Sequence, residues 1–138
     1  MEKFIGTWRL ESSENFDAYM KAIGVGFVLR KVGNTVKPDV QFLRNEDGTC
    51  TMKTISTFKN SEITFELDKE FEETTIDGRK VRSTMTMTEG GELVHKQASE
   101  PETVIERKLQ GDGDNEMVCT VKAGDVVCTR AYRKLNTA

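Results

Sequence analysis

Cysteine, proline and histidine are scarce in this chain: 138 residues contain three, two and one of them. Cys50, Cys119 and Cys128 are odd in number and lack metal-ligand spacing, so they read as reduced thiols of a cytosolic protein. Cys119 and Cys128 could be neighbours across a last hairpin, but a functional disulfide is not expected. With His95 alone, no Ser/His/Asp or Cys/His order can be assembled. His95 therefore reads as a satisfied interior polar group rather than a catalytic base, and neither a metal nor a cofactor is implied. No apolar run approaches the ~20 residues a membrane span needs. The start, Met1 to Trp8, has no apolar h-region, so no secretory signal is expected. Excess positive charge is missing too. Twenty Lys and Arg face 23 Asp and Glu, a net charge of −3, which argues against bulk attraction to nucleic acid.

What remains is a soluble composition, 31% charged and 36% hydrophobic, of a length that fits one domain over 1–138. The hydrophobic fraction is slightly lean, as expected where part of an interior is left unfilled. Phe4 to Ser12 reads as a first strand anchored by Trp8. The period then changes. Phe16, Met20 and Ile23 form the stripe of a short amphipathic helix that Ser13 or Asn15 can cap, and Gly24-Val25-Gly26 breaks it. A second helix is predicted from Phe27 to about Val36, with Val28, Val32 and Val36 on one stripe and Gly33-Asn34 as a weak point. Pro38 ends the helical region. From there, turn signals such as Asn45–Gly48, Asp77-Gly78 and Gly111–Asn115 recur about every ten residues, the rhythm of an antiparallel meander, sandwich or barrel.

Parity assigns faces within the strands. Ile63, Phe65 and Leu67 share one face, and Glu62, Thr64 and Glu66 the other. Met117, Cys119 and Val121 likewise oppose Glu116, Thr120 and Lys122. One wet face and one inner face per strand suit a single sheet curled around its own interior. The last strand places Val126, Cys128, Arg130 and Tyr132 together; alone, that row could face water. Thr103, Ile105, Arg107 and Leu109 decide the matter, because Arg107 falls on the apolar face. The same parity sends Thr54, Ser56, Arg79, His95 and Gln97 inward. A dry core cannot satisfy so many polar groups. Two inward arginines also require an anion, since an unpaired buried charge costs several kcal/mol. The expectation is that the anion arrives as part of a ligand, and that the two helices cap one end of the barrel.

The segments Gly6–Ile23, Gly24–Phe27, Ser56–Asn60, Phe71–Thr75, Leu93–His95 and Val127–Tyr132 resemble the cytosolic fatty-acid-binding proteins, within the intracellular lipid-binding proteins. The match runs collinearly along essentially the whole chain. It implies an all-β fold: a ten-stranded antiparallel up-and-down barrel with a helix-turn-helix lid, about 14–36, between the first two strands. Similarity to the heart, adipocyte, brain and myelin branch implies that Arg107, Arg130 and Tyr132 bind a carboxylate. It also implies a portal of about 28–36, 57–59 and 77–79, with Phe58 as its phenylalanine. The expected cavity lining is Phe16, Tyr19, Met20, Ile23, Val25, Thr54, Ser56, Phe58, Ile63, Asp77, Arg79, His95, Gln97, Met117, Cys119 and Cys128. The implied function is a non-catalytic, monomeric cytoplasmic carrier of long-chain fatty acids. A retinoic-acid carrier is the closest alternative, because it uses the same arginine and tyrosine pattern. Lys21, Arg30 and Lys31 on the lid could meet membranes or serve nuclear import, against the plainer reading of a solvated face.

Overall fold

The computed structural model describes residues 1–135; Asn136, Thr137 and Ala138, part of the expected domain, lie outside the described residues. The elements are β1 (Gly6–Glu14), α1 (Phe16–Ala22), α2 (Phe27–Thr35), β2 (Asp39–Arg44), β3 (Cys50–Ile55), β4 (Ser61–Phe65) and β5 (Phe71–Thr74). They continue with β6 (Lys80–Met87), β7 (Leu93–Ala98), β8 (Thr103–Gln110), β9 (Glu116–Ala123) and β10 (Val126–Lys134). All ten strands form one antiparallel sheet in the order β4-β3-β2-β1-β10-β9-β8-β7-β6-β5. Pairing of β1 with β10 joins the two halves of the chain and nearly closes the barrel. β4 and β5 remain the two edges of the sheet. Side chains fill that seam: the Phe65 and Phe71 rings stack with centroids 6.1 Å apart.

One end of the barrel is solid. Phe4, expected in the first strand, instead sits in a 3-10 turn over Glu2–Phe4. That turn folds Phe4 edge-on against Phe42, centroids 6.0 Å apart, and its carbonyl accepts a 2.9 Å bond from Trp8 Nε1. Trp8, Phe42, Met85, Leu93 and Met117 have no solvent exposure. Alternation of apolar and polar residues in the long strands delivers these side chains to one interior.

The other end carries the lid. Asn15 precedes α1, but its side chain does not cap the helix: Asn15 takes a left-handed φ of 64° and its amide donates to the Val127 carbonyl at 3.2 Å. Gly33 is not a weak point in α2. A Cβ there would come within 2.7 Å of Met20 Sδ, so glycine permits the close approach of the two helices. Asp17 fastens them by accepting from Arg30 Nε at 3.2 Å and Asn34 Nδ2 at 3.0 Å. The expected stripe of α2 holds only in part: Val28 is 73% exposed, whereas Val36, just past the helix, lines the cavity with Gly33 and the half-exposed Leu29. No α2 residue is buried, and its contacts to Asp17 and Met20 of α1 orient this helix.

Candidate functional site

Between the solid end and the lid lies a cavity of about 490 Å³, within the range of small-molecule sites. Strand pairing fixes its charged wall. Arg107 on β8 opposes Cys119 on β9, which in turn opposes Arg130 on β10. The two arginines thus project from the same inner face two strands apart, with a thiol between them. Tyr132 follows Arg130 on that face, opposite Leu10 of β1.

The partners of these groups are few. Arg130 Nη1 donates to Ser13 Oγ at 3.3 Å, and Arg130 Nε lies 3.4 Å from the Tyr132 hydroxyl. A bulge in β1 makes the Ser13 contact possible. Register shifts between Leu10 and Ser12, which brings Ser13 rather than Ser12 opposite Arg130. The Arg130 guanidinium also lies 3.8 Å from the Phe16 ring centroid. Arg107 lies over Phe42 at 5.8 Å, and its Nε and Nη1 are buried without a hydrogen-bond partner. Neither arginine meets a carboxylate among the described residues. Burial raises the Tyr132 phenol above its ordinary value, opposed by the charge of Arg130, so it remains a neutral donor. Burial also pushes the Cys128 thiol up to about 11.

A second polar group stands beside Arg107, on strands β5 to β7, and parity alone did not reveal its centre. Glu73 on β5 is buried. Its Oε1 lies 2.8 Å from His95 Nε2 and accepts from Ser83 Oγ at 2.7 Å. Gln97 Nε2 lies 3.2 Å from both carboxylate oxygens. Burial raises the Glu73 carboxyl, but the bonds from His95, Ser83 and Gln97 outweigh it and leave the group below its ordinary value. Burial lowers the His95 imidazole, and its bond to Glu73 does not reverse that. The interior therefore already contains an anion, but it is committed to this cluster and not to the arginines. Parity within Phe71-Glu72-Glu73-Thr74 was the available signal, since Glu73 shares a face with Phe71.

A separate cleft of about 600 Å³ lies outside, between β1 and the helices. Phe16, Gly33, Val36 and Arg130 line both spaces, so they form the partition between cavity and cleft. At the mouth, Lys59 Nζ donates to the Ile76 carbonyl at 3.1 Å and ties the β3–β4 turn to the β5–β6 turn.

The lipocalin/cytosolic fatty-acid-binding protein family model matches residues 5–135. The chain belongs to this family. Similar solved structures include Echinococcus granulosus fatty-acid-binding protein 1, at 43% identity and TM-score 0.93, covering 99% of this chain and 100% of that one. A Schistosoma mansoni fatty-acid-binding protein in complex with arachidonic acid is 42% identical with TM-score 0.91, covering 99% and 98%. A fatty-acid-binding protein in brain tissue of Drosophila melanogaster is 44% identical with TM-score 0.85, covering 94% and 98%.

In this fatty-acid-binding-protein fold, the cavity lining includes Arg107, Arg130, Tyr132, Phe16, Tyr19, Met20, Ile23 and Val25. It also includes Thr54, Ser56, Phe58, Ile63, Asp77, Arg79, His95, Gln97 and Cys119. Met117 and Cys128, expected on the same wall, are packed in the core with no exposure. Arg79 lines the cavity but is already paired, with Asp77 at 2.7 Å. Ser56 turns its hydroxyl to the Lys59 carbonyl at 2.8 Å. The three cysteines are free. Cys128 opposes Val121 and Cys119 opposes Arg130, so the two thiols are diagonal neighbours and not a facing pair. On the lid, Arg30 is occupied by Asp17 and the Val25 carbonyl, and Lys31 lies 5.6 Å from the Phe27 ring centroid.

Proposed function

We propose that this protein is a non-catalytic carrier of long-chain fatty acids, with the carboxylate held by Arg107, Arg130 and Tyr132. One observation carries the reading: two buried guanidinium groups share a cavity wall, and the buried carboxylate, Glu73, is bonded elsewhere. A ligand carboxylate supplies what the fold withholds. Guanidinium suits the task because its planar fork matches a carboxylate and keeps its charge. Tyr132 adds a neutral donor, and water bridges one arginine to the head. The tail leaves water for Phe16, Met20, Ile23, Val25, Ile63 and Cys119. Each buried methylene contributes about 0.8 kcal/mol. Fourteen give roughly 11 kcal/mol before the costs of association, against about 8 for micromolar binding. The tail therefore drives affinity, and the head selects acids.

Transport without chemistry accords with the polar groups present. Ser83, the hydroxyl bonded to Glu73, is buried and does not line the cavity, so a guest does not reach it. The relatives named above are fatty-acid-binding proteins, which favours a fatty acid over retinoic acid. We place the carrier in the cytoplasm as a monomer. Exposed Phe27, Val28, Leu29, Phe58 and Ile76 ring the mouth and suit transient contact with a membrane during loading.

The test is a titration of palmitate and hexadecanol against the protein and Arg130→Gln. The substitution should weaken palmitate by tenfold or more, about 1.4 kcal/mol, and leave hexadecanol nearly unchanged. Equal losses would remove head-group capture from the mechanism.

A further inference from the structure

The cavity is polarised in a way that a plain fatty acid does not use. Strands β8 and β10 present donors: Arg107, Arg130 and Tyr132. The adjoining strands β5 to β7 present acceptors. Since His95 Nε2 faces the Glu73 carboxylate, the proton of the neutral imidazole belongs there. His95 Nδ1 is then a bare acceptor, buried and without a partner. Gln97 spends its amide on Glu73, and its Oε1 is likewise buried and unpartnered. Glu73 Oε2 receives only the 3.2 Å contact from Gln97. His95 and Gln97 are 1% and 4% exposed, and both line the cavity. Buried acceptors left open in this way are costly, and a donor brought by a guest relieves them.

We propose that Glu73, His95 and Gln97 form a hydroxyl-accepting subsite, which fits the cavity to fatty acids hydroxylated within the chain. This rests on the fatty-acid reading above and extends it to the ligand's second polar group. Position follows from register. Arg107 opposes Leu93, so His95 is its diagonal neighbour on β7. Diagonal neighbours on one face stand about 7–8 Å apart, a span of several methylenes. The hydroxyl therefore belongs mid-chain, neither beside the carboxylate nor at the terminal methyl.

The experiment compares stearate, 2-hydroxystearate, 10-hydroxystearate and 10-methoxystearate by calorimetric titration. The methoxy compound keeps the oxygen and removes the donor. The protein should bind 10-hydroxystearate about fivefold or more tighter than 10-methoxystearate. It should also prefer it to 2-hydroxystearate. In Glu73→Gln and Gln97→Leu the hydroxy-over-methoxy preference, read as the ratio of the two affinities within each variant, should vanish. Equal binding of the hydroxy and methoxy acids by the unmodified protein overturns the subsite, as does a preference that survives both substitutions. Because the first comparison needs no variant, poor folding of either substitution does not rescue the idea. Stearate is the control on the underlying reading. Absence of stearate binding defeats the carrier itself, whereas normal stearate binding without a hydroxyl preference defeats only the subsite.

Discussion

The two ends of the barrel are built from the same strands and obey different rules. At the solid end, Phe4, Trp8, Phe42, Leu93 and Met117 fill the interior with almost no exposure. At the mouth, α2 buries none of its residues, and Phe27 and Val28 are 64% and 73% exposed. The first arrangement stabilises the sheet; the second leaves apolar surface available to a guest or a membrane. Between them lies a band of buried polar groups that are only partly satisfied. The contrast teaches that the fold concentrates its packing in one half, which frees the other half to remain hollow.

The harshest way to break this contrast is to attack the solid end. Trp8→Ala should lower unfolding stability by about 3–5 kcal/mol in urea. A loss no larger than that of Phe58→Ala would erase the distinction between the ends. Next comes the polar band. Arg107→Leu should stabilise the ligand-free protein by about 1 kcal/mol or more, because it removes an uncompensated buried charge. The same change should weaken fatty-acid binding. A lower melting temperature would show that Arg107 holds the fold together.

Acidification sharpens the middle of the comparison. His95 is held below its ordinary value of 6.5, and Glu73 below 4.5. In both, folding favours the deprotonated form. Their contributions are complete above the unfolded values and lost as pH falls towards the folded ones. Thermal stability should therefore decline from pH 7 to pH 5, more steeply than in His95→Gln. Parallel slopes would remove His95 from the acid response. The smallest expected change is at the mouth. Phe27→Ser should alter stability by no more than about 0.5 kcal/mol. It should still slow fatty-acid transfer from vesicles in stopped-flow, and an unchanged rate would take the exposed rim out of loading.

Much of this was readable from the residues because strand parity is strict. Arg107 on an apolar row could only point inward if that row did, and the same held for Arg130 and Tyr132. Parity failed where another rule intervened. Glu73 was passed over because a glutamate is ordinarily solvated; only three donors from two neighbouring strands make its burial tolerable. Ser13 reads as a helix cap in the sequence, but a bulge just before it shifts the register and turns it to Arg130 instead. The stripe Val28, Val32 and Val36 has helical spacing, but the packing of Gly33 against Met20 of α1 decides which face turns in. Phe4 was drawn into the first strand because the sequence marks no break between it and Gly6.

The seam between β4 and β5 has a mechanical consequence. Elsewhere around the barrel a ladder of hydrogen bonds sets the spacing of neighbouring strands, and widening it means breaking that ladder. Along this one line the Phe65 and Phe71 rings face each other, and apolar surfaces can slide over one another with little penalty. The seam is thus the one line among the described strands along which the barrel can widen without unzipping a ladder, with the bond from Lys59 to the Ile76 carbonyl as its clasp at the mouth.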